Sequence, residues 1–308
     1  MLWLWLSLSS ASLATRVKYQ DIPCPLGEGD VVRIYERVSS NASGGFDSDL
    51  ASYSSDGQFR EYAVATCANS LFSLMAEDMS EPLPSGVTRK LNRALEAARA
   101  ALSDPTSPRV WQRYEIAAQM YAALDAPPLQ IAEVYLQASW VARDTVVGFH
   151  RGLEGPAAVK QLFEMGAAEL DKPLSPADRR TVLYSLARAA HRGGYSARRD
   201  QYLAQFEAVG PLTDGELRAV AEFRHIVTEV EPYYQDQALV WLKEALSDDS
   251  LEEVERIQAT YLIADLSRRR GLAGAAAPLY REVATHPKAP DSLRSMAELL
   301  LEDTQVQE

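Results

Sequence analysis

This sequence predicts a mainly α protein, a stack of helical hairpins behind a small β-rich N-terminal cap, and three observations carry that reading. From Thr88 onward the chain is rich in Ala, Leu, Glu and Arg, with Gly and Pro confined mostly to breaks between segments. Those segments come in short pairs, several of them separated by a glycine turn. Residues 15–80 read differently: "VVRIYERV" (31–38) and "EYAVAT" (61–66) are β-branched and aromatic runs, with Val32, Ile34 and Val38 on one side of a period-2 pattern. The chain has 308 residues, 47% hydrophobic and 24% charged, so a filled core is expected rather than disorder. A net charge of −12 speaks against nucleic acid, which is held by clustered Lys and Arg, and against a polybasic membrane patch.

Taken in order, residues 1–14 ("MLWLWLSLSSASLA") form an apolar run with Ser12 and Ala14 at −3 and −1 of a cleavage point before Thr15. That is secretory-signal chemistry without the basic start, and it points to a periplasmic or secreted protein. A buried N-terminal strand, with a cytoplasmic location, is the alternative. The run is too short to span a bilayer. Residues 15–80 form the β-rich unit, with the Ser-, Gly-, Asn- and Asp-dense stretch "SSNASGGFDSDLASYSSDG" as a long loop between its strands. Residues 81–87, opening "EPLPSG", are a linker, and 88–308 are the helical region. Helices are expected over 88–103, 108–124, 128–143, 156–170, 176–192, 195–208, 213–229, 234–247, 250–270, 273–285 and 290–303, with Ser175 and Thr213 as N-caps.

The pairs fit a tetratricopeptide-like α-solenoid. With Gly271 as the turn of a unit beginning at Ile257, Ala264, Ala276, Tyr280 and Ala284 fall where two helices meet. With Gly194 as the turn of a unit from Arg180, Leu183, Leu186, Ala187 and Phe206 fall in place, and Arg199 stands where alanine is usual. A third unit from Val110 supplies Ile116 and Ala117. In such stacks the first helix of each unit lines a groove. The positions that would face it are Trp111, Tyr114 and Tyr121; Tyr184, Arg188, His191 and Arg192; and Tyr261, Asp265, Arg268 and Arg269. Tyrosine offers apolar area with a polar tip, and arginine grips carboxylates with two prongs. The expected partner is therefore a protein or peptide segment carrying acidic residues. Packing of these tyrosines between helices, with the arginines solvated, is the alternative.

The cysteine neighbourhoods add a resemblance. "CPLGEGD" (24–30), "FDSDLASY" (46–53) and "CANSLFS" (67–73) resemble the pattern of the bacterial domain-of-unknown-function family 2225. That resemblance implies a zinc-ribbon-like N-terminal segment followed by tetratricopeptide-like helices, and it implies no activity. Gly27 and Ser70 stand near where the second cysteine of each metal-binding turn would be. Structural zinc takes four ligands, and residues 15–80 offer Cys24 and Cys67 and no histidine, so no metal cofactor is expected. In a ribbon the two turns face each other across the metal. The resemblance thus implies that the surviving thiols can form a Cys24–Cys67 disulfide, worth about 4 kcal/mol by chain entropy; two buried free thiols are the alternative.

Other candidates carry less. Asp47 and Asp49 could supply oxygen ligands to a hard cation or make turn-fixing bonds within the loop. "NAS" (41–43) is a glycosylation acceptor only in suitable secretory pathways. The chain has no phosphate-binding glycine loop, no His-Glu-x-x-His and no Gly-x-Ser-x-Gly elbow, and His150, His191, His225 and His286 are scattered. The reading is a non-enzymatic, exported interaction protein without cofactors. An enzyme acting on cell-envelope polymer and a cytosolic regulator that has lost its zinc are the alternatives.

Overall fold

The computed structural model describes residues 15–27, 29–40, 44–54, 57–147 and 156–306. The apolar run 1–14, the 41–43 acceptor, Asp56 and His150 lie outside the described residues. The fold is mainly α with a small N-terminal β element. No helix among the described residues is long and apolar enough to cross a membrane.

Strands β1 (Arg16–Pro23) and β2 (Val31–Ser39) form an antiparallel hairpin that sets Tyr19 opposite Tyr35 and Ile22 opposite Val32. β1 carries no alternation that a sequence reading could use, because most of its side chains face solvent. The shared buried side expected for Val32, Ile34 and Val38 holds only at the base of the hairpin: Val32 is buried, Ile34 half-buried, and Val38 is 61% exposed where the strand outruns the core. The expected strand over 61–66 divides into a helical turn, α1 (Arg60–Ala63), and a short strand, β3 (Val64–Thr66), which pairs with β4 (Ser73–Met75). Arg60 anchors that turn by gripping the Asp144 carboxylate at 2.5 and 2.9 Å.

The helices follow as α2 (Thr88–Ala101), α3 (Val110–Ala123), α4 (Pro128–Asp144), α5 (Pro156–Leu170), α6 (Pro176–Arg192) and α7 (Ser196–Ala208). After them come α8 (Asp214–His225), α9 (Glu231–Leu246), α10 (Glu253–Arg269), α11 (Ala273–Thr285) and α12 (Asp291–Val306). Ser175 caps α6 through the Asp178 amide, and Thr213 caps α8 reciprocally with Glu216. α3 packs on α4, α6 on α7, and α10 on α11, while α4 also lies along α9. Of the residues expected at the hairpin seams, Ile116, Ala117, Leu183, Leu186, Ala187, Phe206, Ala264, Ala276 and Tyr280 are buried, and Ala284 is half-buried. Gly194 and Gly271 turn the chain at φ +75° and +77°, a region open to glycine.

One boundary differs. Where two helices over 213–229 and 234–247 are expected, α8 and α9 are continuous through a π-helical turn, Ile226–Val230. Pro232 has no N–H, and in a regular α turn its ring would press on the carbonyl of Thr228. The widened turn, in which the Glu231 amide donates to the Ile226 carbonyl five residues back, accommodates the misfit. The strands, α2–α4 and α9–α12 share the main apolar core, which runs from Cys24, Val32 and Phe72 to Ile116, Tyr261 and Leu300, while α5–α8 pack around smaller clusters that include Phe163, Leu203, Phe206 and Phe223.

Candidate functional site

The two cysteine turns meet at the base of the β1–β2 hairpin. Cys24 and Cys67 are joined by a disulfide, their Cα atoms 5.8 Å apart and 43 residues apart in sequence. Between the turns lies buried Asp30, whose carboxylate accepts the amides of Val31 (2.9 Å), Ser70 (3.0 Å) and Asn69 (3.2 Å) and the Ser70 hydroxyl (3.1 Å). Burial alone would raise the Asp30 pKa, but these donors outweigh it and hold it below the usual carboxylate value. The zinc that a ribbon-like segment implies does not fit these residues. Both thiols are spent on the bridge, and the remaining oxygen ligand is saturated by amides.

Beyond the hairpin, residues 44–54 fold into a short tongue. The amide of Gly44 donates to the Tyr53 carbonyl, Tyr53 to Gly45, and Asp47 to Ala51. Leu50, at φ +69°, turns the tip. Asp47, Ser48, Asp49, Ala51 and Tyr53 are all buried, because the tip enters between α4, α6 and α10. Asp47 accepts from Arg143 on α4 (2.9 Å), Arg192 on α6 (2.8 Å) and the Tyr53 hydroxyl (2.9 Å). Asp49 also accepts from Arg143 and lies 3.6 Å from Arg269 on α10. The Ser48 hydroxyl meets Asp265 (3.0 Å), Arg268 (2.9 Å) and Arg269 (2.8 Å). The cations facing Asp47 and Asp49 are therefore guanidinium groups. Of the turn bonds expected within the loop, Asp49 accepts one from the Ala51 amide at 3.4 Å, and it is minor beside the contacts reaching across the chain.

These contacts account for most of the residues expected to hold a partner. Tyr114 donates to the Arg60 carbonyl (2.6 Å), Tyr121 bonds Asp78 and accepts the Met75 amide (3.1 Å), and Tyr261 donates to the Ser48 carbonyl (2.6 Å). Arg192 packs 3.8 Å over the Tyr53 ring. Arg268 and Arg269 each grip Asp265 at 2.8 Å. These tyrosines and arginines are thus covered from within, by the tongue 44–54 and by Arg60, Met75 and Asp78, with Asp47 supplying a carboxylate of the kind expected of a partner. Tyr184 lies between Phe206 and Phe223, and Arg188 donates to the Val147 carbonyl, so neither offers an open phenol or guanidinium. Trp111 borders a cleft, and His191 and Arg269 line a smaller cavity.

The cluster is balanced: buried Asp47, Asp49, Glu231 and Asp265 face Arg143, Arg192, Arg268 and Arg269. Burial would raise the carboxyl pKa values, but Arg143 and Arg269 hold Asp49 low, Arg268 and Arg269 hold Asp265 well below the usual range, and His191 and Arg143 hold Glu231 low. Arg143 and Glu231 escape a sequence reading. For Arg143 a signal exists: it shares the buried stripe of α4 with Ala132, Leu136 and Ser139, a lone charge on an otherwise uncharged face. His191 lies 2.6 Å from Glu231 through Nε2 and 3.4 Å from Arg199 through Nδ1. Arginine can only donate, so Nδ1 accepts and Nε2 carries the proton. Burial lowers the His191 pKa in keeping with that neutral form, and no ring lone pair is left free to act as a base.

Two hollows flank the π turn. A cavity of about 240 Å³ is lined by Val227 and Thr228 of the turn together with His191, Glu231, Arg199 and Arg269. On another side, Glu229 and Val230 border a cleft of about 980 Å³ that also takes in Trp111, Tyr233 and Tyr234. π turns recur at functional sites, because they re-aim side chains that a regular helix would hold elsewhere.

No curated protein and no solved structure matches this chain. The family described as an uncharacterized protein conserved in bacteria, domain of unknown function 2225, matches residues 19–303, a span that takes in the bridged cysteines, the aspartate tongue and the helices that receive it. The chain belongs to that family.

Proposed function

We propose that this is a non-enzymatic interaction protein, working outside the cytoplasm, that receives a segment of another protein in the cleft between the α2–α3 turn and the α8–α9 helix. One observation carries the reading: Tyr233, 45% exposed, stands beside Trp111 and Tyr234 in a hollow of about 980 Å³. Its ring is held ready for contact. The Tyr233 and Tyr234 hydroxyls donate to the two oxygens of Glu115 at 2.7 and 3.0 Å, and the rings meet edge-on at 5.0 Å. Rigid aromatic anchors of this kind contribute contact area with little entropy to lose.

The cleft's charge selects the segment. Asp104, Glu222 and Glu229 line it against Arg109 and His225, so a lysine- or arginine-bearing segment fits, with its cation over an aromatic face. This replaces the acidic segment expected from the sequence, whose receptor arginines are already paired within the chain. A Cys24–Cys67 bridge persists in an oxidising compartment, which supports export.

The test is fluorescence polarisation with short labelled peptides, basic and aromatic in one series and acidic in the other. The basic series should bind, and Tyr233→Ala or Glu222→Lys, both at solvent-facing positions, should weaken it at least ~10-fold, as loss of an anchor does. Equal affinity for the two series, or binding indifferent to both variants, removes the cleft from consideration.

A further inference from the structure

We propose that the cavity beside α7 binds a small oxyanion, the phosphate or carboxylate group of a small molecule, through Arg199 and Arg270. The site lies between the α6–α7 turn, the π turn, α9 and the C-terminal end of α10. Its volume of about 240 Å³ equals several waters at ~30 Å³ each, room for such a group with some of its hydration.

The lining sets Arg199, Arg269 and Arg270 against one carboxylate, Glu231. That carboxylate is committed elsewhere: one oxygen meets His191 Nε2 at 2.6 Å, and the other accepts from Gln235 at 2.8 Å with Arg143 at 3.4 Å. Arg269 is likewise tied to Asp265. Arg199 and Arg270 differ, because each is paired with a carboxylate that stands in water. Arg199 directs its fork at Asp200 at 2.7 and 3.1 Å, yet Arg199 is buried and Asp200 is 62% exposed. Arg270 meets Asp236 at 3.0 Å, and Asp236 is 50% exposed. An exposed partner returns to solvent at little cost, since surface pairs of this kind contribute little. An oxyanion inside the cavity would take the same two-pronged contact away from bulk water, where it is stronger. Ser196 adds a hydroxyl at the start of α7, and no side chain caps that turn.

The experiment is calorimetric titration of the full chain with inorganic phosphate and, separately, acetate, at ionic strength held constant with chloride. A saturable heat with one of them is expected, and which one assigns the group. Arg199→Gln should weaken binding about 10-fold, as loss of a charge-assisted fork does. Asp200→Asn, which removes an exposed competitor and leaves the core untouched, should tighten it several-fold. Glu36→Gln on β2 removes the same charge outside the cavity and should leave affinity unchanged. No saturable heat with either anion overturns the proposal, and so does an Asp200→Asn affinity equal to that of Glu36→Gln.

Discussion

The N-terminal region is fastened twice, and the two fastenings use opposite chemistry. At the base of the hairpin, Cys24 and Cys67 are held by a covalent bond across 43 residues, with Asp30 filling the space between their turns. Some twenty residues past Cys24, the tongue is held without a covalent link, chiefly by charge, and its partners are remote: Asp47 meets Arg143 and Arg192 at separations of 96 and 145 residues, and Ser48 meets Arg269 at 221. A disulfide stabilises mainly by restricting the unfolded chain. A buried ion cluster does little of that. It makes any other seating of the tongue costly, because each misplaced charge would be left without a partner. The first fastening therefore sets how stable the cap is, and the second sets where it sits on the helices.

That contrast can be broken in graded steps. Replacing Arg143 by Met should be the most damaging change, costing ~3–5 kcal/mol in urea unfolding, because Asp47, Asp49 and Glu231 all lose a buried cation. A cost below 1 kcal/mol would mean that the cluster is not what seats the tongue. The paired variant Cys24→Ser, Cys67→Ser should cost up to about 4 kcal/mol, and adding reductant to the wild type should reproduce the loss. A loss that reductant cannot reproduce would place the effect in packing rather than in the bridge.

The turn glycines sharpen the comparison further. Gly194 and Gly271 share nearly the same backbone conformation, but a Cβ on Gly194 would meet the Arg268 guanidinium at 2.6 Å, while one on Gly271 meets nothing within 4 Å. Gly271→Ala should cost about 1 kcal/mol, from conformation alone. Gly194→Ala should cost clearly more, since it also displaces Arg268 from Asp265 and Ser48. Equal costs for the two would show that the cluster yields freely at that edge.

A milder effect is expected from pH. His191 has a folded pKa depressed below 6.5, so the unfolded chain takes up its proton first as pH falls. Stability is then fully present above pH 6.5 and declines below it, and His191→Gln, which can still donate to Glu231, should flatten the slope. Asp49, Glu231 and Asp265, also depressed, extend the decline below the ordinary carboxylate range, while Asp144, which burial raises, works against it. A stability that rises as pH is lowered from 7 to 5 would contradict the neutral assignment. At the far end, Glu36→Gln removes a water-exposed partner of Lys18 and should leave the unfolding midpoint where it is.

Much of this architecture is legible without coordinates, and the parts that are not share a cause. Helix spans, the Ser175 and Thr213 caps and the Gly194 and Gly271 turns depend on neighbours within a few residues, which periodicity and cap chemistry report directly. The π turn leaves no local mark: Pro232 reads as part of a break between helices, and nothing local says that the preceding turn can widen to absorb it. Tyr114, Tyr261, Arg192, Arg268 and Arg269, expected to face a partner, make their contacts within the chain. Groove-facing and internally covered positions have the same spacing, and only the placement of residues 44–54 and 60–79 tells them apart. Of the cleft at Tyr233 the sequence marks only Trp111, since the hollow is made by the start of α3 meeting the α8–α9 helix about 120 residues further along the chain.

By itself the sequence determined that this chain folds into paired helices and where most of them begin and turn, and its resemblance to a family implied that two cysteines stand in turns that face one another. Local backbone preference and amphipathic spacing act within one or two turns, so a linear string contains them. Tertiary structure alone decided that four carboxylates and four guanidinium groups would neutralise one another, and that the chain would fill its own groove. Charge pairs carry no periodicity, and their strength depends on burial and on angstrom-scale approach between segments up to 221 residues apart, which packing alone sets.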